Sequence, residues 1–186
     1  RSSDWSSDVC SSDLYTQIEG YTEIRLLAWS MGVWVASRVF TGHSFPWQMK
    51  LAVNGTPFPI DDRRGIPKMI FKGTLEHFSE DTLARFRRRM CGSSGQTEEF
   101  LSRTPTRTAE ELREELAALA QGITAYGSSS FIWDRAIIGN RDKIFPPRNQ
   151  HEAWQGTEIM ETEAEHYETS LFSRLLEGKG EEWTRH

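Results

Sequence analysis

The stretch that most constrains the fold is IRLLAWSMGVWVASRVF, Ile24 to Phe40. Its opening residues, Ile24 to Ala28, form a short apolar strand candidate. MGVWVASRVF, Met31 to Phe40, continues as a helix, with Val33, Trp34 and Val35 expected inside. Ser30 falls at the junction. A strand that turns at once into a helix exposes the turn residue at the carboxyl edge of the sheet. Ala28 and Gly32 leave it room, and the helix amino end favours negative charge developing beside it. A nucleophilic hydroxyl needs that setting. Because S-x-G also arises by chance, and Ala28 stands where a glycine usually opens such a turn, the rest of the chain has to supply the partners.

It does so in a workable order. RAIIGN, Arg135 to Asn140, reads as a short buried strand, and the acid Asp142 lies two residues beyond its Gly-Asn turn. A short helix from Arg148 to Trp154 and a strand from Thr157 to Thr162 follow. His166 then falls on a loop ahead of a closing helix that carries Leu171, Phe172, Leu175 and Leu176. Ser30, Asp142 and His166 can therefore meet at one sheet edge, in the chain order nucleophile, acid, base. The chemistry needs all three, because a serine hydroxyl is too weak an acid to attack unaided. His43, His77, His151 and His186 read as solvated or locally bonded. Asp61 and Asp62, near the end of the strand candidate Leu51 to Thr56, are the rival acids and rank behind Asp142.

Bulk properties close off other classes. The chain of 186 residues is 37% hydrophobic, which fits one domain with a real core. With 22 basic and 27 acidic side chains it carries a formal charge of -5, which gives no support to nucleic-acid or anionic-membrane binding. No apolar run approaches the roughly 20 residues of a membrane helix, so the chain reads as soluble and cytoplasmic. Cys10 and Cys91 have neither a disulfide framework nor metal-ligand spacing. RSSDWSSDVCSSDL, residues 1–14, repeats Ser-Ser-Asp with almost nothing apolar between, and resembles translated sequencing-adaptor read-through. Native sequence is expected from Tyr15 onward.

The elements AWSMGVW, AVNGTPFPIDDRRGIP, GTLEHFSEDTLARFRRRMCG and DKIFPPRNQHEAW together resemble the BioG-type family of pimeloyl-[acyl-carrier-protein] methyl ester esterases, over Tyr15 to Leu176. The resemblance implies an α/β-hydrolase fold, a mainly parallel sheet with a helical cap insertion at about 75–125. It further implies a serine carboxylesterase that removes the methyl ester from pimeloyl-acyl carrier protein in biotin synthesis, with Ser30 as nucleophile, His166 as base and Asp142 as orienting acid. No metal or redox cofactor is implied. Such enzymes have further strands before the elbow, so the chain is expected to be a fragment missing its N-terminal strands. Met31 N–H supplies one oxyanion donor, and the second normally comes from the missing loop.

Within the insertion, Ser79 caps a helix with Leu83, Phe86 and Met90 on one face, ending at Gly92. Thr108 and Glu111 form a capping box ahead of Leu112, Leu116, Leu119 and Ile123. Arg85, Arg87, Arg88 and Arg89 cluster on the first of these helices, with Arg103 and Arg107 after it. Two readings apply: cations favoured at a helix carboxyl end, or docking of an acidic carrier protein through Arg85, Arg88 and Arg89. Trp29, Phe58, Phe71 and Phe78 are candidates for lining an acyl channel, with core packing the competing role. A non-catalytic carrier-protein binder and an acyl thioesterase are the alternative functions.

Overall fold

Four short, largely apolar strands build one parallel sheet in the computed structural model, which describes residues 14–103 and 107–185. The strands are β1 (Ile24–Trp29), β2 (Trp47–Val53), β3 (Arg135–Gly139) and β4 (Glu158–Thr162), paired side by side in that order. Period-2 geometry sends Ala52, Ala136 and Ile138 to one face, with Val33 and Trp154. Leu51, Val53 and Ile137 go to the other, against Leu171 and Leu175. All five residues of β3 are buried, as expected of a strand covered on both faces.

Parallel neighbours need crossovers. Helix α1 (Gly32–Phe40) returns β1 to β2, and α6 (Pro147–Ala153) returns β3 to β4. Between β2 and β3 lies the insertion, α2 (Lys68–Glu76), α3 (Glu80–Cys91), α4 (Ser94–Ser102) and α5 (Ala109–Tyr126); α7 (Thr169–Leu176) packs last. The predicted caps form. Ser79 accepts from Thr82 N–H while the Thr82 hydroxyl accepts from Ser79 N–H, and Thr108 and Glu111 make the same reciprocal pair. Each such cap is worth about 1 kcal/mol.

Two expectations are corrected, at Val35 and in the bounds of β2. Val35 is only half-buried, because 3.6-residue periodicity from Val33 and Trp34 leads to Ser37 and Phe40. Leu176 is 76% exposed, one residue off the Leu171–Leu175 stripe of α7, and Phe172 is half-buried. Strand β2 starts at Trp47 and ends before Asn54 instead of running from Leu51 to Thr56. The helical insertion, expected at about 75–125, comprises the four helices α2 to α5 between Lys68 and Tyr126. Leu112, Leu116, Leu119 and Ile123 are half-buried, and no residue of α5 is fully buried. Residues 1–13, Cys10 among them, and His186 lie outside the described residues. No helix among the described residues is long and apolar enough to cross a membrane.

Candidate active site

Ser30 follows the last residue of β1 and adopts φ 58°, the left-handed region that a non-glycine residue enters only under constraint. Its N–H donates to Val53 O, extending the β1–β2 pairing, and its carbonyl accepts Val33 N–H, starting α1. A Cβ at Gly55 would strike the Ser30 carbonyl oxygen and displace this turn, so the glycine of AVNGT permits the elbow.

The hydroxyl meets a hydrogen-bonded line. Ser30 Oγ lies 3.0 Å from His166 Nε2, and His166 Nδ1 lies 2.9 Å from Asp142 Oδ2. An ionised carboxylate only accepts, so Nδ1 carries the proton and Nε2 is left as acceptor for the serine hydroxyl. Asp142 Oδ1 accepts the N–H groups of Ile144 (2.7 Å) and Phe145 (2.9 Å). His166 is 1% and Asp142 4% exposed, which shields the line from water. The rivals are engaged elsewhere. Asp61 accepts from the N–H groups of Arg63 and Arg64, and Asp62 from that of Lys68. His43 bonds Thr41 and Tyr15, His77 closes α2 on Gly73 O, and His151 pairs with Glu161.

Two buried amides were not anticipated from the sequence. Gln150, on α6, donates Nε2–H to Asp142 Oδ2 (3.0 Å) and to Phe145 O (2.8 Å). Both partners are acceptors, which fixes the amide's orientation and leaves its buried Oε1 unpartnered. Asn54, at φ 45°, accepts Gly139 N–H and donates to the carbonyls of Glu165 and His166, tying the ends of β2 and β3 to the histidine loop. Gln150 lies within DKIFPPRNQHEAW and Asn54 directly after a strand, so position beside the acid and beside a strand end was the available signal.

Trp29, a candidate for the acyl channel, lies against the histidine loop. Its indole N–H donates to His166 O (2.9 Å) and its ring lies 5.2 Å from the imidazole, so it supports the histidine loop. Phe145 is also stacked with the imidazole, at 6.0 Å between ring centres. Phe71 is buried in the apolar cluster where Met90 and Cys91 of the insertion meet Ile144 and Phe145, with Trp29 and Met31 against it. Phe58 is held under the Arg64 guanidinium, 3.7 Å from the ring centre. Phe78 faces a separate hollow with Ala109 and Arg113. The insertion is also fastened to the site by backbone, through Tyr167 N–H to Met90 O. Burial pushes the Cys91 thiol up against an opposing Thr97 hydrogen bond, which keeps it protonated and disfavours it as a nucleophile. Arg85, Arg88 and Arg89 are exposed. Arg103 and Arg107 instead pair with Glu99 and Glu115.

A family model described as pimeloyl-ACP methyl esterase BioG matches residues 6–177. The chain belongs to the BioG family. It is 47% identical over 163 residues to a malonyl-[acyl-carrier protein] O-methyltransferase of Bacteroides fragilis, a match covering 87% of this chain and 33% of that protein. The chain thus spans about a third of that relative's length. Among solved structures it is similar to BioG from Haemophilus influenzae, with TM-score 0.76 and 44% identity over 81% of this chain and 70% of that one. A bromoperoxidase from Bacillus anthracis, 17% identical with TM-score 0.56 over 92% of this chain and 71% of that one, shares the fold. The architecture is that of the α/β-hydrolases.

Proposed function

We propose that this BioG-family chain hydrolyses the methyl ester of a pimeloyl group carried on acyl carrier protein, a cytoplasmic step of biotin synthesis. The observation that carries the reading is the continuous hydrogen-bonded line from Ser30 through His166 to Asp142. Ser30 Oγ attacks the ester carbonyl carbon while His166 Nε2 takes its proton, and Asp142 steadies the imidazolium. The negative charge that develops on the carbonyl oxygen is met by Met31 N–H at the start of α1. The carbon–oxygen bond to the methoxy group then breaks, and methanol leaves with the proton from His166. Water, deprotonated by the same imidazole, cleaves the acyl-serine and frees a carboxylic acid.

The name of the Bacteroides fragilis relative supports the substrate class, since a carrier-protein O-methyltransferase makes the kind of ester that such a hydrolase removes. Phe71 lies in the apolar cluster beside Met31 and is assigned to the acyl channel; Phe58 and Phe78 are secondary candidates for it. Exposed Arg85, Arg88 and Arg89 are assigned to the acidic carrier.

The test supplies methyl-pimeloyl thioester on carrier protein, a substrate with both linkages. Methanol and pimeloyl-carrier are expected, with Ser30→Ala and His166→Ala each losing nearly all activity. Free monomethyl pimelate would assign a thioesterase instead. Carrier binding without either product would leave a non-catalytic binder.

A further inference from the structure

Gly73 sits inside helix α2, where a glycine is less favourable than alanine. A helix glycine is usually explained by a neighbour that excludes a side chain. Here a Cβ would meet nothing within 4 Å. Its position opens instead on a hollow of about 360 Å³ between α2 and α3, lined by Met69, Ile70 and Phe86 and rimmed by Arg85 and Arg89. Met69 is 75% and Ile70 50% exposed, an unusual expenditure of apolar surface at one spot. Among the described residues, no acid lines the hollow. His77 also borders it, with Nδ1–H donated to Gly73 O.

We propose that this hollow receives an apolar side chain from an acidic helix of the carrier protein, and that Gly73 is bare to keep it open. An amphipathic helix laid in a groove anchors through one or two apolar residues, while flanking charges set its register. Arg85 and Arg89, one helical turn apart on α3, hold carboxylates on that helix. Arg88, next along, broadens the positive rim. The proposal rests on the reading that the substrate is carrier-linked. It adds a location to that reading and a cause for one glycine.

The two requirements on Gly73 pull in opposite directions, which makes the experiment sharp. In the full chain, Gly73→Ala raises the thermal unfolding midpoint by a few degrees, because helix propensity improves with nothing to clash. Gly73→Leu fills the hollow. It raises KM for the carrier-linked methyl ester roughly tenfold or more with kcat unchanged, while a small p-nitrophenyl ester, which never reaches this surface, reports the chemistry. Carrier affinity measured on the Ser30→Ala background falls by the same factor, independently of turnover. A Gly73→Ala that destabilises would mean the glycine serves packing, and the proposal fails. A KM within twofold of wild type in Gly73→Leu, or an equal loss on both substrates, overturns it as well. So does a loss of self-association in Gly73→Leu without a change in KM, which would assign the hollow to a second copy. If the unaltered chain neither binds carrier nor hydrolyses its ester, the underlying reading is what has failed.

Discussion

Two buried charges lie at opposite ends of β3 and serve different ends. Arg135 opens the strand, its side chain wholly buried, donating to the carbonyls of Glu181, Glu182 and Thr184 and to Glu158 Oε1 at 2.6 to 2.9 Å. Asp142 follows the other end and accepts from two backbone N–H groups, Gln150 and His166. Backbone groups help to hold each charge, because a buried charge is costly unless it is paired and hydrogen-bonded. The partners of Arg135 are carbonyls of the C-terminal segment and one carboxylate, none of which passes a proton onward, so this cluster straps the chain end under the sheet. One partner of Asp142 is an imidazole that leads on to a hydroxyl. Burial of charge therefore does not by itself mark a reactive site. A route for a proton out of the cluster does.

Substitution of each charge separates the two clusters. Asp142→Asn leaves the fold near its original stability but lowers kcat on a small ester by about 10⁴, through loss of the tautomer-fixing acceptor. Arg135→Met does the reverse. Three carbonyls lose their donor, unfolding becomes easier by about 3 to 5 kcal/mol, and turnover per folded molecule is unchanged. Denaturant unfolding and active-site titration of both variants measure the two effects separately. A large stability loss in Asp142→Asn, or a kcat loss in folded Arg135→Met, would merge the two roles.

Gln150 sharpens the same contrast with a smaller effect. Its amide donates to the oxygen of Asp142 that also receives His166, so Gln150→Met frees that oxygen and loosens the acid without removing it. Hydrogen bonds to charged groups are worth about 1.5 to 3 kcal/mol, which corresponds to roughly ten- to a hundredfold in kcat if the whole interaction is felt in the transition state. KM for a small ester should hold, since Gln150 is buried behind Asp142. If KM rises while kcat stays, the amide shapes the pocket and not the acid.

How much of this could be read beforehand follows from what each residue's neighbours in sequence reveal. The elbow, Asp142 and His166 are legible because each sits where an apolar run stops, and a run's end fixes a position at the sheet edge. Arg135 is not, since an arginine at a strand's start reads as solvent-facing until the C-terminal carbonyls that bury it are in place. Gln150 and Asn54 act through partners 8 and 85 to 112 residues away, which no local pattern encodes. Helix α2 is hard to read because Gly73 and Thr74 weaken its propensity, and α4 because SSGQTEE carries little apolar periodicity. The start of β2 is obscured because Gln48 and Lys50 interrupt its apolar residues, although they alternate with Met49 and Leu51 as a half-buried strand requires.

The smallest effect concerns the rival acid, Asp61. Burial works to raise its carboxyl, but the N–H groups of Arg63 and Arg64 and the Arg64 guanidinium outweigh it and hold the group below the ordinary carboxylate value. A depressed folded-state value adds stability that is present above the unfolded-state value of about 3.9 and is lost as pH falls through the lower folded one. The partly exposed pair with Arg64 is worth about 1 kcal/mol or less, and salt weakens it further. Asp61→Asn should therefore be slightly less stable than the parent at pH 7, and the gap should narrow as pH drops below about 4. Ester hydrolysis at neutral pH should be the same in both. Urea unfolding at pH 7 and pH 3, set beside a p-nitrophenyl ester assay, measures both arms. A kcat loss in Asp61→Asn comparable to that in Asp142→Asn would move the orienting acid to the loop after β2, whereas a constant stability gap at both pH values would mean that Asp61 acts by shape and not by charge.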